Sequence, residues 1–268
     1  MTNRDKVAFV NTGDITKQSE PVRSARSGLI IVLHNAIVFF WAILSTMAYG
    51  TIAILVSMFH TRLARYIAHL WCIHLLLLCG IRIKTIGIEK LSRRERYVFI
   101  ANHQSFFDIP TLYAGLPSSL SFIAKKELFF IPFFGWGIAA IGHIWIDREH
   151  ARRARKSITR AIDKLKRQQI SLVLFPEGTR SITGAVAKFR RGSFTLALEA
   201  GVPVVPVSIV GTRNILPKKS LMFTPGTAVV IIGDPISAAE CAVLDKGELS
   251  GLVRSRIVKG IETGRNAA

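Results

Sequence analysis

The sequence predicts an α/β domain, a mixed and largely parallel sheet flanked by helices, preceded by membrane-associated helices. Three observations predict it. From Arg82 onward, short β-rich runs alternate with helical stretches, and several runs are continuously apolar, as in strands covered on both faces. Between them, residues 149–169 repeat apolar side chains every three or four positions with Arg and Lys opposite, the pattern of an amphipathic helix. Ahead of them, Gly28 to Phe59 holds no charged side chain over 32 positions.

Composition narrows the class. A chain of 268 residues, half of them hydrophobic and 20% charged, buries a substantial core and is not mainly disordered. With 36 Lys and Arg against 17 Asp and Glu, the net charge of +19 calls for an anionic partner: nucleic acid, an anionic membrane or a phosphorylated substrate. High apolar content together with that charge favours the membrane surface. The aromatics cluster in an apolar segment instead of alternating with bases along one strand face, which argues against nucleic acid. Three cysteines build no disulfide framework. On a helix Cys72 and Cys79 would lie about 10 Å apart along the axis, too far to bridge, and they fit a reducing compartment.

In chain order, residues 1–27 form a polar basic segment with five bases (Arg4, Lys6, Lys17, Arg23, Arg26) and three acids. Residues 28–81 form a membrane-associated helical region. As one straight helix, residues 28–59 would be about 48 Å long against a hydrocarbon core of roughly 30 Å. They therefore predict either one tilted span with helical extensions or two segments hinged near Ala48-Tyr49-Gly50. Tyr66 to Gly80, flanked by Arg62, Arg65 and Arg82, predicts an interfacial or re-entrant helix, with His69 and His74 as packing residues. Residues 82–268 form the α/β domain. Its expected strands are 82–88, 97–101, 120–124, 170–175, 204–210 and 228–233. Ser237-Ala-Ala-Glu240 reads as a capping box opening a C-terminal helix.

The chemistry-bearing residues gather at strand ends. Asn102-His103-Gln104-Ser105-Phe106-Phe107-Asp108 follows the run 97–101, the usual location of α/β sites. If His103 stays in the loop and Asp108 opens the next helix, the carboxylate can fix the imidazole tautomer and leave the other nitrogen to take a proton from a hydroxyl. Phe175-Pro176-Glu177-Gly178-Thr179-Arg180-Ser181 ends the run 170–175. Gly178 permits close backbone approach there, and Arg180, Lys188 and Arg191 could converge on a phosphate. A third block runs from Lys125 through five aromatics within residues 129–136 to Asp147-Arg148, and suits an acyl chain or a membrane surface. The chain has no nucleophile elbow, zinc motif, Walker A loop or dinucleotide fingerprint, and its other histidines lack ligand spacing. No metal and no cofactor are expected, and direct attack by a substrate hydroxyl is simpler than a covalent enzyme intermediate.

Taken together, these blocks and Val202-Pro-Val-Val-Pro-Val207 resemble the glycerolipid acyltransferase superfamily, most closely its bacterial lysophosphatidic acid acyltransferases, over about residues 97–211. The resemblance implies that His103 is the general base on the acceptor hydroxyl and that Asp108 orients it. The acyl donor would be acyl-CoA or an acyl-acyl carrier protein. Lys125 and Arg180 would clasp the acceptor phosphate, Glu177, Gly178 and Thr179 would shape the acceptor loop, and Arg148, Lys188 and Arg191 would assist. The product would be phosphatidic acid, with lyso-ornithine lipid or glycerol-3-phosphate as alternative acceptors sharing these blocks. A non-catalytic basic membrane-binding protein and a lipid hydrolase are the rival classes. The expected partners are thus a lipid bilayer, a lysophospholipid acceptor and the acyl donor. Basic residues flanking the apolar segments favour the inner membrane with the catalytic domain facing the cytoplasm.

Overall fold

A computed structural model of the protein describes residues 25–117, 119–146, 151–168 and 170–267. Two helices lead: α1 (Ala25–Ser57) and α2 (Thr61–Leu78). The α/β part then runs β1 (Ile81–Ile86), β2 (Val98–Ala101), α3 (Asp108–Gly115), β3 (Leu120–Lys125), α4 (Phe134–Ala140), β4 (Ile144–Ile146), α5 (Ala151–Arg167), β5 (Ser171–Leu174), α6 (Arg191–Ala200), β6 (Val204–Val210), α7 (Thr212–Ile215), β7 (Gly226–Ile232), α8 (Ala238–Val243) and α9 (Lys246–Arg265). Among the described residues the strands form one sheet in the order β1-β7-β6-β2-β5-β3-β4. Every pairing is parallel except β6 with β7. The sheet is therefore mixed and largely parallel, as expected.

Continuous apolar runs make this sheet because both of its faces are covered. β2, β5 and β6 are buried along their whole length. On one face, Ala161, Ile162 and Leu165 of α5 pack with Phe194 of α6 and with Leu249, Val253 and Ile257 of α9. On the other, Leu112 and Tyr113 of α3 and Cys72 of α2 pack against Phe99, Val205 and Val230. All three cysteines are free and buried.

Several expectations change in detail. No hinge interrupts α1 at Ala48–Gly50; the helix continues to Ser57, and the break falls at residues 58–60. There His60 caps α2 by accepting the Leu63 amide at its Nδ1, 3.2 Å away. Gly50 serves a close approach instead: a Cβ there would stand 2.9 Å from the Phe133 carbonyl oxygen. β4 was not expected; it is three residues at the sheet edge, paired with β3. The ends of the predicted helix 149–169 lie outside the described residues. Ser237 and Glu240 form their capping box on the short α8, and a second box, Asp245 with Glu248, opens the long α9.

α1 docks one stripe onto the domain and leaves the rest of its apolar surface outward. Asn35, Val38, Ser45 and Ala53 are buried, while Ile30, Ile37, Phe40 and Trp41 are at least half exposed. Asn35 accepts the Phe223 amide through its Oδ1 at 2.8 Å, joining α1 to the segment before β7. The stretch Leu29–Ser57 is long and apolar enough to cross a membrane.

Candidate active site

Because β2, β3 and β5 are parallel, the loops after β2 and β5 and the end of β3 meet at one edge of the sheet. Asn102 directly follows β2 and is fully buried. Its side chain donates to the Ile209 carbonyl at 2.9 Å and accepts the Ile209 amide at 2.8 Å, locking the β2 exit to β6. His103 follows in the loop and Asp108 opens α3. His103 Nδ1 lies 2.7 Å from Asp108 Oδ2. That oxygen also accepts the amides of Gln104 at 2.6 Å and Ser105 at 2.9 Å, and Oδ1 accepts the Thr212 hydroxyl at 2.6 Å. A carboxylate so fully supplied with donors can only accept, so Nδ1 carries the imidazole hydrogen and Nε2 keeps its lone pair. Asp108 is wholly buried, whereas the His103 side chain is 18% exposed. The ring stacks on Phe175 at 4.2 Å between centroids.

The loop after β5 braces His103 from behind. Glu177 Oε1 accepts the His103 amide at 2.8 Å and Oε2 accepts the Ala187 amide at 3.0 Å, while the Ser181 amide donates to the His103 carbonyl at 2.8 Å. Burial pushes the Glu177 carboxyl above the usual carboxylate range, although both backbone donors pull it down. Gly178 has φ +73°, and a Cβ there would stand 2.7 Å from Arg190 Nε. Only glycine fits without strain. Thr179 is exposed. The Arg180 guanidinium carbon sits 3.6 Å from the Phe106 ring centroid, a cation–π contact. Its Nη1 is buried with no hydrogen-bond partner among the described residues. Burial lowers its pKa, partly offset by the charge of Asp108.

The remaining predicted site residues divide. Lys125 closes β3, exposed and paired with Glu127 at 3.3 Å. It lies two strands from β2, about 10 Å across the sheet. Lys188 is exposed on the loop before α6. Arg191 opens α6 and turns to a surface cleft with Asp245 and Lys246 at the start of α9. Arg148 lies outside the described residues. Asn102 heads the first sequence block but was given no role there, and Thr212 and Lys218 were not singled out from the sequence. The strand-end rule points to Asn102, but Thr212 and Lys218 join the site only through a fold-back that no local pattern announces. Among the described residues no cluster of His, Cys, Asp and Glu could hold a metal ion.

An apolar cleft opens beside α3, the helix that Asp108 starts. Tyr49 and Gly50 of α1, Trp71 of α2, Tyr113 of α3, Phe122 of β3, Phe134 and His143 line it. Phe122 stacks against Phe175 at 6.3 Å, so two ring contacts connect the cleft to His103. At the cleft wall, His143 Nδ1 accepts the Phe122 amide at 3.4 Å, which leaves Nε2–H to donate to the Tyr113 hydroxyl at 3.2 Å. Burial, reinforced by the charges of Lys164 and Arg65, pushes His143 down to about 3, so the wall stays uncharged.

That shift predicts a pH dependence. Between about pH 6.5 and pH 3 the unfolded chain takes up a proton at this position and the folded chain does not. Stability is therefore full above pH 6.5 and falls with acidification, by at most about 1.4 kcal/mol per pH unit. His143→Gln is expected to flatten the fall of the thermal midpoint between pH 7 and pH 5. Parallel curves for the variant and the wild type would contradict this assignment.

The acyltransferase family model matches residues 82–210. The 1-acyl-sn-glycerol-3-phosphate acyltransferase of Pseudomonas aeruginosa is 33% identical over 81% of this chain and 82% of its own length. The protein of that name from Saccharomyces cerevisiae is 34% identical over 68% of this chain and 60% of its own. The crystal structure of the 1-acyl-sn-glycerophosphate (LPA) acyltransferase PlsC from Thermotoga maritima aligns over 89% of this chain and 97% of that one, with TM-score 0.77 and 29% identity. The chain belongs to the acyltransferase family. It spans 60% of the yeast relative and 46% of several others, which are longer proteins.

Proposed function

We propose that this protein moves a fatty acyl group from an acyl thioester to the free hydroxyl of lysophosphatidic acid, giving phosphatidic acid. The observation that carries the reading is the His103–Asp108 pair, bonded to the loop that carries Arg180 and two ring contacts from an apolar cleft. The names of the relatives support the same acceptor.

In this reading the acceptor phosphate sits against Arg180, whose Nη1 has a hydrogen-bond donor to spare, with Lys125 at the rim of the same sheet edge. His103 Nε2 takes the hydroxyl proton as the oxygen attacks the thioester carbonyl. Asp108 stabilises the imidazolium. The tetrahedral adduct then collapses, the C–S bond breaks, and the departing thiolate takes the proton back from His103. The phosphate clasp and the apolar cleft, which holds an acyl chain, convert the encounter into a positioned reaction. Acyl-CoA and acyl-acyl carrier protein both satisfy this chemistry, and the mechanism asks nothing of a metal or cofactor.

The bilayer is the natural partner of the outward apolar surface of α1 and of the half-exposed Tyr66, Leu70 and Leu77 on α2. α1 is fastened to the domain at Asn35 and again at Gly50, so it carries the flank of the domain to the lipid rather than standing clear of it. The basic surface fits the anionic cytoplasmic face of the inner membrane.

The test is a competition assay. Membranes containing the protein receive an acyl thioester together with lysophosphatidic acid, lyso-ornithine lipid and glycerol-3-phosphate, and the products are resolved by mass spectrometry. Phosphatidic acid is expected as the main product. Ornithine lipid or lysophosphatidic acid as the main product would reassign the acceptor. Free fatty acid alone would make the protein a hydrolase.

A further inference from the structure

The segment after β6 lies beyond the region matched by the family model, yet it reaches the dyad and the acceptor loop together. Gly211 makes this possible. It has φ +91°, and a Cβ there would run into the Thr227 carbonyl, so the chain can leave β6 and turn straight back. Three contacts follow within eight residues. Thr212, wholly buried, donates its hydroxyl to Asp108 Oδ1 at 2.6 Å. The Leu216 carbonyl accepts the Ser105 hydroxyl at 2.9 Å. The Lys218 ammonium donates to Thr179 Oγ1 at 3.1 Å and to the Arg180 carbonyl at 2.7 Å.

The geometry points to residues 211–218 as a positioning element for the acyl-transfer site, in which Thr212 sets the base through Asp108 and Lys218 sets the acceptor clasp through Thr179 and Arg180. This rests on the reading of His103 as base and Arg180 as acceptor clasp. The two contacts have different consequences. The Asp108 oxygen that faces His103 takes three hydrogen bonds, whereas among the described residues the other takes the one from Thr212. Without it the carboxylate can rotate about its Cβ–Cγ bond, carrying Oδ2 away from the imidazole. That is a loss of alignment in the transition state, and it reads out in kcat. Lys218 donates its hydrogen bonds to the acceptor loop and not to the dyad. It holds the backbone and hydroxyl from which Arg180 projects, so its loss slackens acceptor binding and reads out in KM.

The experiment measures kcat and acceptor KM for Thr212→Val, Thr212→Ser, Lys218→Met and Lys218→Arg, with His103→Ala as control and thermal midpoints recorded throughout. Thr212→Val is expected to lower kcat about tenfold to a hundredfold with acceptor KM unchanged, and Thr212→Ser to restore it. Lys218→Met is expected to raise acceptor KM about tenfold with kcat retained, and Lys218→Arg to recover most of it. Wild-type kcat in Thr212→Val, or an unchanged acceptor KM in Lys218→Met, would overturn the inference. So would equal loss of kcat in Thr212→Ser and Thr212→Val, because a hydroxyl in place should suffice. Turnover in His103→Ala would instead show that the reading of the reaction is wrong. An inert His103→Ala beside a fully active Thr212→Val removes this inference alone.

Discussion

His103→Ala is expected to lower acyl transfer by about 10²- to 10⁴-fold, down to the background of membranes without the protein, with the fold intact. Both halves follow from the geometry. Among the described residues the imidazole is the base held by Asp108, and the nearby Glu177 has both its oxygens occupied by the amides of His103 and Ala187. Removing the ring leaves Asp108 still accepting from Gln104, Ser105 and Thr212, so no buried charge is stranded. The His103 backbone bonds to Glu177 and Ser181 do not depend on the side chain. The lost contacts are the Nδ1–H bond to Asp108 and a stack on Phe175 by a ring already 18% exposed, the stack being worth about 1 kcal/mol. Turnover and thermal midpoint measured on the same preparation check the prediction. Retained turnover would remove His103 from the mechanism.

Local patterns carried much of this architecture. Short β-rich runs located six of the strands, and β2, β5 and β6 among them read as apolar runs because both faces of the sheet cover them; the chemistry-bearing blocks stood at the ends of β2 and β5. The His103–Asp108 pairing was legible because both partners lie within one strand-loop-helix unit. What the sequence hid is long-range or small. β4 is three residues at an edge, too short to show a period. Gly50 resembles a hinge in a list of residues, but the space it leaves is filled by the Phe133 carbonyl, and the real break at residues 58–60 contains neither glycine nor proline. Thr212 stands 104 residues from Asp108 in the chain, and nothing around it announces a partner. Arg191 shares a basic run with Arg190 and Lys188, yet opening a helix turns it toward α9.

Asp108→Asn separates orientation from charge. The Oδ2 position receives three N–H donors, so an amide nitrogen placed there would face all of them. The side chain therefore sets its oxygen at Oδ2 and its NH₂ at Oδ1, where the Thr212 hydroxyl can rotate from donor to acceptor. Every buried polar group keeps a partner, and the variant is expected to fold with a midpoint close to that of the wild type. The Nδ1–H tautomer is retained as well, because the carbonyl oxygen still accepts it. What disappears is the negative charge that stabilises the imidazolium as the hydroxyl proton arrives, and kcat is expected to fall, but by less than the roughly 10⁴-fold seen where the same substitution also reverses the tautomer. Asp108→Ala makes the opposite trade. It leaves the amides of Gln104 and Ser105 without their acceptor in a fully buried site, at a cost of about 1–3 kcal/mol for each group, so it loses stability along with activity. If the asparagine variant proves as unstable as the alanine variant, the hydrogen-bond assignment around Asp108 is wrong. If it is stable and fully active, the carboxylate supplies orientation alone and its charge plays no part in the transfer.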